Sequence, residues 1–144
     1  MAELKEKGAL YVENIQQGFE DYDYEIRTLG KDEARKIFSE MRLKNGAENS
    51  FLDFYYFAVR PEERERIDAV LSREEIQFLQ EYRKTRLTGD AKEEIIFPME
   101  DMLLEIAVKL NEKSALFSTM YFTKDKSTWW GNYEQKYVKF REKS

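Results

Sequence analysis

The spacing of apolar residues changes period late in the chain, and this change decides the fold class. From Pro98 onward, apolar residues recur every three or four positions, as on the buried face of a helix; they are Met99, Met102, Leu103, Ile106, Ala107 and Leu110. Beyond them the period becomes two, in residues 116–123 and again in residues 133–140, with Lys-Asp-Lys-Ser at 124–127 between the runs. The pattern predicts a central helix that begins at Pro98 and packs on a C-terminal β-hairpin.

The N-terminal third of the chain predicts two helices and one strand. Residues 3–22 and 31–43 place apolar side chains at helical spacing, and Asn45-Gly46 is a helix stop signal. Between them, residues 24–29 alternate in polarity up to Gly30, which indicates a short strand beside the hairpin.

The middle of the chain holds its most apolar run, residues 50–59, whose spacing fits either a helix or a buried strand. We favour a helix, because a capping residue precedes the run and Pro61 closely follows it. Pro61 itself suits the first turn of another helix, where its missing N–H loses no partner. Residues 72–75, Ser-Arg-Glu-Glu, form a capping box and predict a helix that runs to about Arg86.

These elements together predict one α+β domain over residues 1–144. We expect five to six helices around a small antiparallel sheet that is built mainly from the C-terminal hairpin. A chain of 144 residues is long enough to bury a core. Since 15% of its residues are aromatic, we expect rings to fill much of that core.

Two residue types that serve many enzymes are missing from the sequence. The chain has no histidine and no cysteine, which excludes Ser-His-Asp and Cys-His catalytic arrangements and ordinary zinc sites. Serine and threonine hydroxyls therefore have no histidine base. Carboxylate chemistry with magnesium stays open as an alternative, but we predict no catalytic residue, no metal site and no cofactor.

Two acidic segments are weak candidates for a site. Residues 21–32 place acids at alternate positions, as calcium loops do, but Ile26 stands where such a loop needs glycine. Four further acids flank the predicted start of the central helix: Glu93, Glu94, Glu100 and Asp101. Paired carboxylates do acid–base work only when burial separates their pKa values. A solvated surface explains both segments better.

The charge balance restricts the kind of partner. The net charge is −5 at pH 7, and residues 124–144 hold six cations against three anions, so the rest of the chain is strongly acidic. Such a body repels phosphate, and we predict no nucleic-acid partner. We also predict no membrane association and a cytoplasmic location. The N-terminus does not resemble a signal peptide, no apolar run approaches about 20 residues, and a chain without cysteine suits a reducing compartment.

The leading functional hypothesis is a non-enzymatic protein-interaction module. One form of this hypothesis is an inhibitor or immunity-type protein. We expect such a protein to bind a basic partner through its acidic surface, by long-range charge attraction. The candidate contact residues are Glu62, Glu63 and Glu65, which follow Pro61. A solvated face with ion pairs between successive turns is the simpler interpretation of the same residues.

The alternative hypothesis is a small-ligand binding domain, and it rests on the sequence Trp-Trp-Gly-Asn-Tyr at 129–133. If this segment is extended, Trp129 and Trp130 face opposite sides of a sheet, so at most one of them lies in the core. The other ring, together with Tyr133, then forms a platform on which a sugar or a nucleotide base stacks. The simpler interpretation is that the second ring only covers the edge of the hairpin.

Overall fold

A computed structural model describes residues 2–86 and 95–144. The described residues form six α-helices, which in chain order are α1 (Ala2–Glu6), α2 (Ile15–Asp21), α3 (Lys31–Asn45), α4 (Pro61–Asp68), α5 (Arg73–Arg86) and α6 (Asp101–Glu112). The same residues form six β-strands, which are β1 (Asp23–Thr28), β2 (Ser50–Asp53), β3 (Ile96–Pro98), β4 (Thr119–Phe122), β5 (Ser127–Gly131) and β6 (Lys136–Arg141). None of these helices is long and apolar enough to cross a membrane.

The strands make one antiparallel sheet in the order β1-β6-β5-β4-β2-β3. The predicted α+β class is therefore confirmed, and β1 pairs with the C-terminal strands as expected. The sheet is larger than the small hairpin that the sequence predicts, because β2 and β3 extend it on the far side of β4.

The C-terminal hairpin is in fact a meander of three strands. β5 lies between β4 and β6, and it occupies residues that the prediction left between its two strands. Four of the five residues of β5 are buried and the fifth, Trp130, is half-buried, so this strand lacks the alternation of a one-sided strand. A turn at Glu134 and Gln135, both with positive φ, then leads into β6.

The predicted helix over residues 50–59 is wrong, because this run begins with strand β2. All four residues of β2 are buried, since the strand pairs with β3 on one side and β4 on the other and both faces are covered. Burial on both faces removes the period of two, and this leaves the sequence ambiguous between helix and strand.

Two predicted helix boundaries also differ from the structure. The single helix over residues 3–22 is divided into α1 and α2, because Gly8 adopts a left-handed conformation with φ of +74° and ends the first turn. The Asn14 side chain caps α2 by accepting the Gln17 N–H at 2.9 Å. Pro98 does not begin α6 but ends β3, a strand at the sheet edge, where a missing N–H is tolerated.

Three local signals are confirmed. Helix α3 ends at Asn45 with Gly46 as its C-cap, and Pro61 stands in the first turn of α4. In the capping box, Glu75 N–H donates to Ser72 Oγ at 3.1 Å, and Ser72 N–H donates to Glu75 Oε1 at 2.7 Å. Helix α5 then runs from Arg73 to Arg86 as predicted.

The sheet is the middle of three layers. One face, here called the helix face, packs on α3, α5 and α6 around side chains such as Phe38, Leu103 and Trp129. The opposite face, here called the N-terminal face, is covered by residues 2–22. Leu4 packs there with Phe51 and Tyr121, while Val12 packs with Val138 and Phe140.

Candidate ligand-binding cavity

A cavity of about 270 Å³ lies on the N-terminal face of the sheet. Side chains alternate along a strand, so Asp53 shares this face with Phe51, and Thr119 shares it with Tyr121. The segment between α1 and α2 supplies Tyr11, Val12 and Glu13 as a further wall. The side chains that line the cavity include Tyr11, Asp53, Tyr55, Thr119, Tyr121 and Trp130.

Asp53 is the charged group at the bottom of this cavity. It is the last residue of β2, and its side chain is buried, with only 8% of its surface exposed. Its Oδ1 atom accepts the Thr119 N–H at 2.7 Å, across the pairing of β2 with β4. In the part of the chain that the structure describes, no ion pair involves Asp53 and no lysine or arginine lines the cavity.

Burial changes the acidity of Asp53. Removal from water disfavours the charged carboxylate and raises the pKa of Asp53 to about 7, although hydrogen bonding from Thr119 opposes the shift. The group therefore changes charge near neutral pH, where most aspartates are fully ionised.

Three tyrosines surround this carboxyl group. Tyr121 is buried on β4, whereas Tyr55 and Tyr11 are more than one third exposed at the rim. Burial raises the pKa of Tyr121 and of Tyr55, and the nearby charge of Asp53 raises both further. Both phenols therefore stay neutral near physiological pH. They offer aromatic faces and O–H donors to the cavity.

The structure separates the two tryptophans as alternation requires. Trp129 lies on the helix face. Its ring is edge-on to that of Phe38, with 5.2 Å between the ring centroids. Its indole N–H donates to Ser127 Oγ at 3.1 Å. Trp130 lies on the N-terminal face, is half-buried and lines the cavity. Only Trp130 is placed to meet a ligand there.

Tyr133, the third aromatic residue singled out in the sequence, lies beside the cavity and not within its lining. Its side chain is 65% exposed. Its ring centroid is 4.7 Å from that of Phe117, and Phe117 does line the cavity. The structure thus brings Trp130 and Tyr133 to the same end of the sheet and leaves Trp129 on the other face.

The predicted acidic contact residues form a separate surface on α4. Glu62, Glu63 and Glu65 are all exposed, and no ion pair to them occurs within residues 2–86 and 95–144. Arg64, between them, turns inward and donates to the backbone oxygens of Tyr56 and Phe57 at 3.3 and 3.2 Å. No residue of α4 lines the cavity around Asp53.

The other acids named from the sequence are engaged in ordinary structural roles. Asp21 ends α2 and Asp23 begins β1, so the acidic segment is not a loop. Glu100 and Asp101 each pair with an arginine, at 2.7 and 2.9 Å, and the flanking acids Glu93 and Glu94 lie outside the described residues. Within that described part, no group of three acids is placed to hold a metal ion.

A second cavity, of about 310 Å³, lies between α3, α5 and α6, but its buried charges are already paired. Glu75 accepts from Lys109 Nζ at 2.7 Å in addition to the capping bond from Ser72. Burial opposes ionisation of Glu75, yet the bonds from Lys109 and Ser72 hold the pKa of this carboxyl below its ordinary value. The two half-buried charges neutralise each other, and this arrangement stabilises the helix junction.

Sequence reasoning missed Asp53 and Tyr121. The available signal was a single acid within the most apolar run of the chain, at 50–59. Aspartate is rarely buried unless it is paired, so a single acid within a largely apolar run marks an unusual position. Its partner Thr119 is 66 residues away, and this pairing depends on the sheet.

Comparisons with models of protein families, with curated proteins and with solved structures found no match to this chain. The chemistry of the cavity is therefore the basis for a functional proposal.

Proposed function

We propose that the protein binds a small ligand in the cavity around Asp53. The observation that carries this proposal is a buried carboxyl group that faces the cavity, with no cation beside it among the described residues. A buried charge without a partner opposes folding. Groups whose ionisation is perturbed in this way cluster at functional sites.

The cavity also has the composition of a ligand site. Such sites have mainly apolar and aromatic walls with a few convergent polar groups, and they start at about 300 Å³. Here Tyr121 and Trp130 supply aromatic walls, and Asp53 and Thr119 supply the polar groups at the bottom. At about 270 Å³ the cavity is slightly smaller than this lower limit, so it suits a ligand of one small ring or a short branched chain.

This proposal develops the alternative hypothesis from the sequence, in which either Trp129 or Trp130, together with Tyr133, binds a small molecule. Of the two ligand classes expected there, a nucleotide fits less well, because Asp53 and Glu13 would repel its phosphates. A sugar or another uncharged or basic molecule meets no such repulsion.

The hypothesis of a basic protein partner concerns a different surface and stays a prediction. It is supported by the exposed acids Glu62, Glu63 and Glu65 on α4 and by the net charge of −5. The cytoplasmic location stays a prediction as well, supported by the lack of cysteine.

Ligand entry should change the fluorescence of Trp130. We expect a library of small aromatic and branched compounds, both neutral and charged, to contain members that raise the melting temperature and shift the tryptophan emission. In Trp130→Phe the emission shift should disappear while the rise in melting temperature persists. The remaining fluorophore, Trp129, lies on the helix face and is insulated from the cavity.

The matched control is Trp129→Phe, which removes the same chromophore from the other face of the sheet. This variant should keep the emission response to the same compounds, even if its own melting temperature is lower. A library without any stabilising compound, or an emission shift that survives in Trp130→Phe, would contradict the proposed site.

A further inference from the structure

We propose that the ligand is an organic cation, whose ammonium group pairs with the Asp53 carboxylate and packs against the surrounding aromatic rings. This inference rests on the proposed function and adds the chemical class of the ligand. The charges, the aromatic rings and the hydrogen bonds of the cavity support it.

Within the described lining of the cavity, the charged side chains are those of Asp53 and Glu13, and both are acidic. The lining also includes Tyr121 from β4, Tyr55 from the chain after β2, and Tyr11 from the N-terminal segment. The described lining therefore contains two acids, no base and three phenols. A ligand cation supplies the counter-charge that the carboxylate lacks, which offsets the cost of burying it.

The rings suit the same ligand. An ammonium or quaternary ammonium group is attracted to the face of tyrosine or tryptophan within about 6 Å of the ring centroid. Trp130 and the three tyrosines bring four such rings to one cavity, at whose bottom the carboxylate lies. Aromatic walls with an acid among them are a common way to bind amines, because the two attractions add and water is excluded.

Hydrogen bonds from Thr119 orient the carboxyl group of Asp53. Its Oδ1 accepts the Thr119 N–H at 2.7 Å, and the Thr119 side chain also hydrogen-bonds the carboxyl group. Asp53 lines the cavity, so the oriented carboxyl group is in a position to accept from an ammonium N–H or to lie against a methylated ammonium.

A cation also links binding to protonation. The carboxyl group must be ionised to pair with it, and burial holds the pKa of free Asp53 at about 7. Below that pH the cation has to displace a proton, so its affinity should fall about tenfold for each pH unit. A neutral ligand, which accepts the protonated acid equally well, should not show this dependence.

The test uses calorimetric titrations with two isosteric pairs, 2-phenylethylamine with 2-phenylethanol, and choline with 3,3-dimethylbutanol. At pH 8 we expect at least one cation to bind the wild type at least about tenfold more tightly than its neutral isostere, the effect of one charge-assisted bond. Between pH 8 and pH 5.5 the affinity for that cation should fall about 30-fold.

The variants separate the carboxylate from general charge effects. Asp53→Asn should weaken cation binding by about tenfold or more and leave binding of the neutral isostere nearly unchanged. The matched control is Glu81→Gln, which removes one exposed carboxylate on α5, outside the cavity. It should bind the cation as the wild type does.

Each other outcome overturns a defined part of the account. Neutral isosteres that bind as tightly as the cations, or cation binding that is insensitive to pH and to Asp53→Asn, would contradict the proposal that the ligand is a cation. Either result would leave the cavity as a ligand site. If none of the four probes binds, the proposal that the ligand is a cation is overturned. Failure of the whole library as well would overturn the proposed function.

Discussion

Asp53→Asn should make the protein more stable at pH 8, by up to about 4 kcal/mol, while changing its stability little at pH 4. Burial moves the pKa of Asp53 from its ordinary value to about 7. A shift of about three pH units corresponds to about 4 kcal/mol between the protonation states. Asparagine keeps the shape of the side chain and an oxygen for the Thr119 N–H, but it has no charge to bury.

The direction of this pH dependence follows from the raised pKa, because Asp53 binds its proton more tightly in the folded protein than in the unfolded chain. Between about pH 4 and pH 7 the folded protein holds a proton on Asp53 that the unfolded chain has released. The contribution of Asp53 to stability therefore falls as the pH rises through this window and is constant above it. The variant does not titrate there, so its advantage should grow over the same window.

Urea unfolding of the wild type and of Asp53→Asn at pH 4, 5.5 and 8 measures this difference. Glu81→Gln, with its exposed side chain, should differ from the wild type by less than about 0.5 kcal/mol at every pH. A difference between the wild type and Asp53→Asn that does not change with pH would show that the carboxyl group is not titrating near neutrality.

The second large effect is expected in the core on the helix face. Leu103 and Ile106 lie on α6 with no surface exposed. Leu103→Ala or Ile106→Ala should each lower the free energy of unfolding by about 2–5 kcal/mol, through lost burial and a residual cavity. Chemical denaturation at neutral pH measures this change.

Met102 provides the matched control, since it neighbours Leu103 on the same helix but is 39% exposed. Met102→Ala should cost less than about 1 kcal/mol. If Met102→Ala were as damaging as Leu103→Ala, or if both core variants kept the wild-type denaturation midpoint, the assigned buried face of α6 would be incorrect.

Local signals predicted the buried face of one helix and the start of another, although the predicted boundaries of α1, α2 and α6 differ from the structure. The stripe that includes Leu103 and Ile106 predicted the buried face of α6, and the Ser72–Glu75 capping box predicted the start of α5. Both depend on residues only a few positions apart, so the sequence carries the necessary information. The stop at Gly46 is of the same kind.

The central strands were not predictable in this way. β2 and β5 are covered on both faces, so their residues lose the alternation that marks a strand. This loss of alternation is why the sequence predicts a helix at β2 and no strand at β5. The place of β2 in the sheet is set by its pairing with β3 and β4, which are far away in the sequence.

The candidate site was half predictable. Trp130 and Tyr133 belong to a local aromatic cluster, and strand alternation separated Trp130 from Trp129 in advance. Asp53 and Tyr121 come together only through the β2–β4 pairing, which no local pattern shows. Asp53 is the residue on which the proposed function depends most, and its role was not predictable from the sequence.

The pKa of Asp53 is the property that tests the proposed cation-binding cavity most directly. A carbon-13 NMR titration of the side-chain carboxyl groups measures it, with the Asp53 signal assigned by its absence from Asp53→Asn. We expect a pKa of about 7 in the free protein, and a value well below 7 once a cation fills the cavity. A pKa near 4 in the free protein would contradict the account, because it would mean that the carboxylate is already solvated or paired.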